Sequence, residues 1–183
     1  GSRRDLKRPD GCSTIGMKYF TNRSQLARMD FNTRLIMTFF LVFMLIATGL
    51  SIFMSHQRTQ HTAAGGADYY RGSEEQMLFP KESTELIETT HFHLFIMPLI
   101  FMTVGHLFLL SAWSKRWKTF VISSCFVYIL LDLAKPWLIR YVAAEFGVLA
   151  PVNSALLGAT MLLCIFVSIY EMWFLEITPS SHI

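Results

Sequence analysis

The amino-acid sequence predicts an all-α polytopic membrane protein, a bundle of four transmembrane helices with N- and C-termini on the cytoplasmic side. Three observations carry this expectation. Four predominantly apolar runs of about 20 residues each match a hydrocarbon core of about 30 Å. Basic residues collect in the segments that this topology places in the cytoplasm, as the positive-inside rule requires. All four tryptophans, Trp113, Trp117, Trp137 and Trp173, fall at predicted span ends, where an amphipathic indole sits at headgroup level. Composition agrees. Of 183 residues, 52% are hydrophobic and 16% charged, with a mean hydropathy of +0.40, whereas a soluble domain carries about 25% charged residues. The shortage of charge is the more telling figure, because it leaves long windows without a charged side chain.

Residues 1–34 form a basic segment, with Arg3, Arg4, Lys7, Arg8, Lys18, Arg23, Arg28 and Arg34 against Asp5, Asp10 and Asp30. Gly1-Ser2 looks like a vector-derived overhang and Met17 like a native start, so residues 1–16 are either native or foreign to the natural chain. The first span, residues 35–55, exceeds a signal-peptide core of roughly 7–15 residues and lacks a small-x-small cleavage site. Residues 56–90 make an acidic outer loop, with Arg58, Arg71 and Lys81 against Asp68, Glu74, Glu75, Glu82, Glu85 and Glu88. Gly65-Gly66 and Arg71-Gly72 predict turns there, and Pro80 a break. Residues 82–90 are helix formers, so the second helix begins before the membrane and spans residues 91–113. Pro98 removes a backbone hydrogen bond at its middle and predicts a kink. The link at residues 114–118 holds Lys115, Arg116 and Lys118. A third span covers residues 119–138, interrupted late by Asp132, Lys135 and Pro136. A short outer turn (140–147) and a fourth span (149–175) follow. The transmembrane domain is thus residues 35–175, and residues 176–183 are a cytoplasmic tail.

The histidines invite a functional reading. On this topology His56 and His61 follow the outer end of span one, and His91 and His93 open span two from the same side. Ionisable groups at membrane depth are functional candidates by default. Neutral imidazole is the commonest metal ligand and also holds haem iron. His56 with His91 or His93, helped by Met54, suits haem b, copper or zinc, and His61 extends the metal set. The alternative is that these rings hydrogen-bond to headgroups, water or neighbouring helices. His106 lies about 20 Å along the helix from His91 and about 60° around it, while His93 points nearly opposite to His91. Two histidines on one face resemble membrane b-type cytochromes, in which one helix serves two haems. Spans one, three and four contain no histidine to complete two such sites in one chain. What survives is one haem at the outer end, ligation of His106 across a dimer, or an interhelical hydrogen bond at His106 allowed by close approach at Gly105.

Asp132 lies one turn from Lys135, and an internal ion pair is the simplest resolution of a carboxylate in the bilayer. The functional alternative has Asp132 orienting His91 or His93 from behind, with Asn153 and Ser154 at similar depth. Ser154-x3-Gly158 and Ala155-x3-Ala159 form small-residue ridges suited to tight helix packing. The cysteines Cys12, Cys125 and Cys164 have no paired spacing, which argues against a disulfide framework or thiolate zinc site. There is no covalent haem motif, His-Glu-x-x-His or phosphate loop. The three-charge link suits anionic lipid rather than nucleic acid.

At Glu88-Thr89-Thr90-His91-Phe92-His93-Leu94-Phe95 with Met97-Pro98, and at Lys135-Pro136-Trp137-Leu138-Ile139-Arg140-Tyr141, the chain resembles a group of uncharacterised bacterial inner-membrane proteins with four helices. The resemblance covers residues 34–173 and implies a multi-pass protein of the bacterial inner (plasma) membrane, with no activity attached. The short His-x-His-Leu stretch is also faintly similar to haem-copper-oxidase-like membrane proteins. Two functions follow. One is a small redox subunit binding haem b or a metal at the outer interface. The other is a non-catalytic subunit or assembly factor that contacts other membrane subunits or its own copies. Independent catalysis is expected of neither.

Overall fold

An aspartate starts the first helix. Asp30 accepts a hydrogen bond from the backbone N–H of Thr33 at 3.1 Å and from its hydroxyl at 2.6 Å, satisfying donors that a helix N-terminus leaves free. The carboxyl of Asp30 is held below its usual range, first by the Thr33 hydroxyl and then by the Thr33 amide. The computed structural model describes residues 25–175, so the basic residues before Gln25, Cys12 and the tail at 176–183 lie outside the described residues. Five α-helices follow one another: α1 (Phe31–Thr59), α2 (Ala63–Arg71), α3 (Ser83–Leu109), α4 (Lys115–Trp137) and α5 (Leu149–Trp173). A π-helical turn, Leu138–Val142, and a 3-10 turn, Ala144–Val148, join α4 to α5. Four of the helical stretches are long and apolar enough to cross a membrane. They run alternately up and down, so one end of the bundle carries α2 and the α4–α5 turn (the loop end). The other carries Lys115, Arg116 and Lys118 (the basic end).

The α5 helix is the hub, packing against α1, α3 and α4. Its buried side includes Asn153, Leu157, Cys164, Ile165, Ser168 and Met172. The α3 and α4 helices also pack on each other, and Phe101, Val104, Phe108, Val121, Cys125 and Ile129 complete the core between them. By contrast α1 leans mainly on α5 and, at its end, on α2. Only 6% of its most apolar stretch is buried, against 28% for the stretch that includes α5. At Gly158 a Cβ would stand 3.7 Å from Ile52 of α1, an ordinary van der Waals contact. At the basic end the Trp173 indole donates to the Thr38 hydroxyl at 2.8 Å. Leu26, fully buried in a 3-10 turn, plugs that end of the core. Arg34 secures the plug by donating to the carbonyls of Met29 and Ala27.

Helices α3, α4 and α5 fall where the sequence places spans two, three and four. The acidic approach at residues 83–90 is the first part of α3. That helix continues unbroken through Pro98. Gly65-Gly66 departs from expectation, for it lies inside α2 rather than at a turn. Thr62 caps this helix by accepting from the Gly65 amide at 2.9 Å, and α2 packs on the Ala144–Val148 turn. A Cβ on Gly66 would come within 2.8 Å of the Ala150 side chain, and one on Gly147 within 2.3 Å of the Ala63 carbonyl. Backbone contact here offsets the roughly 0.5–1 kcal/mol that each helical glycine costs. Gly72, at φ +86°, caps the end of α2, and the turn itself follows at residues 74–77.

These glycines make a clear contrast with Gly105, whose Cβ would meet nothing within 4 Å. Gly147→Ala is expected to destabilise the isolated chain by about 1–3 kcal/mol. Gly105→Ala is expected to leave stability unchanged or raise it by up to about 1 kcal/mol. Thermal unfolding of the two variants in detergent measures the difference.

Candidate functional site

At the loop end α4 and α5 share a buried polar centre. Asp132 and Lys135 are one helical turn apart on α4, and the Lys135 ammonium donates to Asp132 Oδ1 at 2.5 Å. From α5, the Asn153 amide donates to the same oxygen at 3.2 Å and to the Tyr128 carbonyl at 3.1 Å. Both partners are acceptors, which fixes the orientation of the amide. Ser154 accepts from Lys135 at 3.4 Å. One group is left over: the buried Asn153 Oδ1 has no hydrogen-bond partner among the described residues. Such an oxygen costs about 1–3 kcal/mol unless a donor reaches it.

A lid of polar contacts closes the loop end. Pro136, which lacks an N–H, precedes the π-helical turn, whose widened backbone redirects carbonyls. Arg71 donates to the Ile139 carbonyl at 3.2 Å, and Arg140 to the Lys81 carbonyl at 3.1 Å. The Trp137 indole donates to the Thr90 hydroxyl at 3.0 Å, which ties α4 to α3. Lys81 pairs with Glu85 at 2.5 Å, and that bond raises the pKa of its amine. On α2, burial pushes the Tyr70 phenol up, and Tyr69 and Asp132 push in the same direction. Tyr70 thus stays neutral beneath the lid.

The histidines fall into three places. At the end of α1, Gln60 and His61 take left-handed conformations, φ 50° and 52°. The chain folds back there, and the His61 ring comes to 5.1 Å from that of His56. On α3, His93 bonds through Nδ1 to the Thr89 carbonyl at 2.8 Å, while exposed His91 lies edge-on to Phe95 at 5.1 Å. Helices α1 and α3 have α5 as their common packing partner, and no three His, Cys, Asp or Glu side chains come together as a metal site among the described residues. The side-chain partners of Asp132 and Asn153 come from α4 and α5, not from the histidines.

His106 is exposed one turn before the end of α3, without a hydrogen-bond partner among the described residues. No interhelical bond forms there among the described residues, and a Cβ on Gly105 would meet nothing within 4 Å. His91, Phe95, Leu99, Met102 and His106 all lie within about 80° of arc, and all are exposed. They form one uncovered stripe along α3.

At the basic end, buried Glu171 accepts from the Ala112 amide at 2.7 Å. Lys118 donates to the carbonyls of Leu109 and Ser111, the free carbonyls at the end of α3. The sequence carries a signal for Glu171, as the one charged residue in the apolar run 149–175. Cys125 and Cys164, buried on α4 and α5, meet through their thiols, a contact that no spacing in the sequence could announce.

Lys135→Met should expose the value of the polar centre. It leaves the Asp132 charge buried with only an amide donor, and is expected to lower stability by about 3 kcal/mol. The paired exchange Asp132→Leu with Lys135→Met is expected to recover most of that loss, as read by equilibrium unfolding in mixed detergent.

No curated protein and no solved structure matches the chain. A family model described as a transmembrane helical domain matches residues 60–179, which take in α2, α3, α4 and α5. The chain belongs to this family of transmembrane helical domains.

Proposed function

We propose that this protein is a non-catalytic subunit of a larger assembly in the inner (plasma) membrane of a bacterium, docking through the exposed stripe of α3. The observation that carries this reading is the pair His91 and His106 on one uncovered face, neither with a hydrogen-bond partner among the described residues. An imidazole facing lipid is costly, and polar groups in spans normally face a helix partner or a water-filled cavity. Gly105, with open space above it, is the kind of small residue that lets a second backbone approach. The positive-inside rule puts the basic end in the cytoplasm and the loop end outside. The polar centre at Asp132 and Asn153 then serves to hold α4 against α5 beneath the outer surface.

A second reading puts haem b, copper or zinc across the same interface. Its support is that His91 and His106 share a face about 22 Å apart, with the facing ligands to come from the partner or from a second copy. The His56–His61 pair, 5.1 Å between rings, offers two further donors, short of the three or four protein ligands that zinc normally takes.

Two measurements separate these readings. In native membranes, a single cysteine at Met102 is expected to react with a lipid-soluble maleimide several-fold more slowly than one at Phe126, an exposed residue of α4. Equal rates would remove the docking face. Absorption spectra and metal analysis of the purified protein, made with ample haem and metals, test the cofactor. A Soret band lost on His91→Ala would support haem, and a colourless, metal-free preparation leaves docking alone.

A further inference from the structure

Between α4 and α5, at the basic end, the bundle has a groove of about 470 Å³ on its outer surface. Trp113, Trp117, Phe120 and Tyr128 line one side, and Ala159 and Leu163 line the other. From Trp117 to Tyr128 the groove follows α4 for about 17 Å at 1.5 Å per residue. That is close to one leaflet's share of a hydrocarbon core of about 30 Å. Its walls are mostly apolar. The Thr160 hydroxyl at its edge is already spent on the Leu156 carbonyl at 2.7 Å. Such a trough suits an alkyl chain.

The mouth has a different chemistry. Trp113 and Trp117 bracket Lys115 and Arg116, both exposed. Neither forms an ion pair among the described residues. The described acids at this end are engaged elsewhere: Asp30 caps α1 and Glu171 is buried against the Ala112 amide. Among the described residues, two cations without a counter-charge thus open α4 between Trp113 and Trp117, which line the trough.

We propose that this groove binds one anionic phospholipid, with an acyl chain along α4 and α5 and the phosphate at Lys115 and Arg116. Charge selects the occupant. A zwitterionic headgroup brings its own cation to a mouth that is already basic. A second copy related by a two-fold axis would set one basic mouth against another. The site is distinct from the α3 stripe and does not depend on the docking reading.

The test uses the full chain, purified in mild detergent and stripped of lipid. It is then offered phosphatidylglycerol and phosphatidylcholine with identical acyl chains, and native mass spectrometry counts what is retained. One phosphatidylglycerol per chain is expected, with a preference of about tenfold or more, since each basic side chain near a membrane surface contributes appreciably to binding anionic lipid. Lys115→Gln with Arg116→Gln is expected to bring the preference to within about twofold. Ala159→Phe fills the trough and is expected to lose both lipids while both charges remain. Should Ala159→Phe fail to fold, the charge variant still decides. Equal retention of the two lipids by the parent chain overturns the proposal. So does retention that survives the charge variant unchanged, or a lipid-free dimer cross-linked through the groove.

Discussion

The bond from Lys135 to Asp132 at 2.5 Å is the interaction on which the loop end depends. In hydrocarbon a lone carboxylate or ammonium is too costly to keep, and a pair one turn apart removes that cost inside a single helix. Once paired, Asp132 still has lone pairs to offer. Asn153 on α5 takes one and caps the Tyr128 carbonyl with its other N–H. Because an amide can span only one hydrogen-bond length to each acceptor, the register between α4 and α5 is fixed to a fraction of a turn. That register places Pro136 and the π-helical turn where Arg71 and Arg140 can reach free carbonyls. The lid is therefore a consequence of the pair beneath it.

The same logic of satisfied backbone groups works at the opposite end with different parts. There Lys118 and Glu171 answer the carbonyls and the amide left bare where α3 stops and the link to α4 begins. Both ends of the α3–α4–α5 unit are thus closed by charged residues of both signs. The first helix stands outside this scheme. It touches the unit mainly through α5, and the family match begins at residue 60, just after α1 ends at Thr59. The polar ties that shape the unit all lie within the matched residues, while α1 adds an apolar wall and the Thr38–Trp173 contact.

Much of this was legible in the sequence, because the signals are long or local. Runs of about 20 apolar residues survive any detail of packing, and Asp132 with Lys135 is a spacing of one helical turn. Gly65-Gly66 misled for a physical reason. Glycine pairs mark turns in isolation, but here they let α2 meet Gly147 and Ala150 at backbone distance, which only the fold reveals. The grouping of His56 with His91 rested on the two helices being neighbours in sequence. The hub position of α5 makes them partners of the same helix instead. Sequence adjacency gives topology, but it does not give the order of helices around a bundle.

What remains is an asymmetry in how the polar groups are treated. At Asp132, Lys135, Glu171, Trp137 and Trp173 the chain supplies a partner from within itself, often across helices. On α3 it leaves His91 and His106 bare on one face, next to a glycine that blocks nothing. The two α3 imidazoles without a hydrogen-bond partner among the described residues lie about 60° apart around the helix. The buried oxygen of Asn153 is a milder case, one acceptor without a donor among the described residues in a centre that is otherwise paired. The α3 stripe is different in kind, since among the described residues none is placed to pair with His91 or His106.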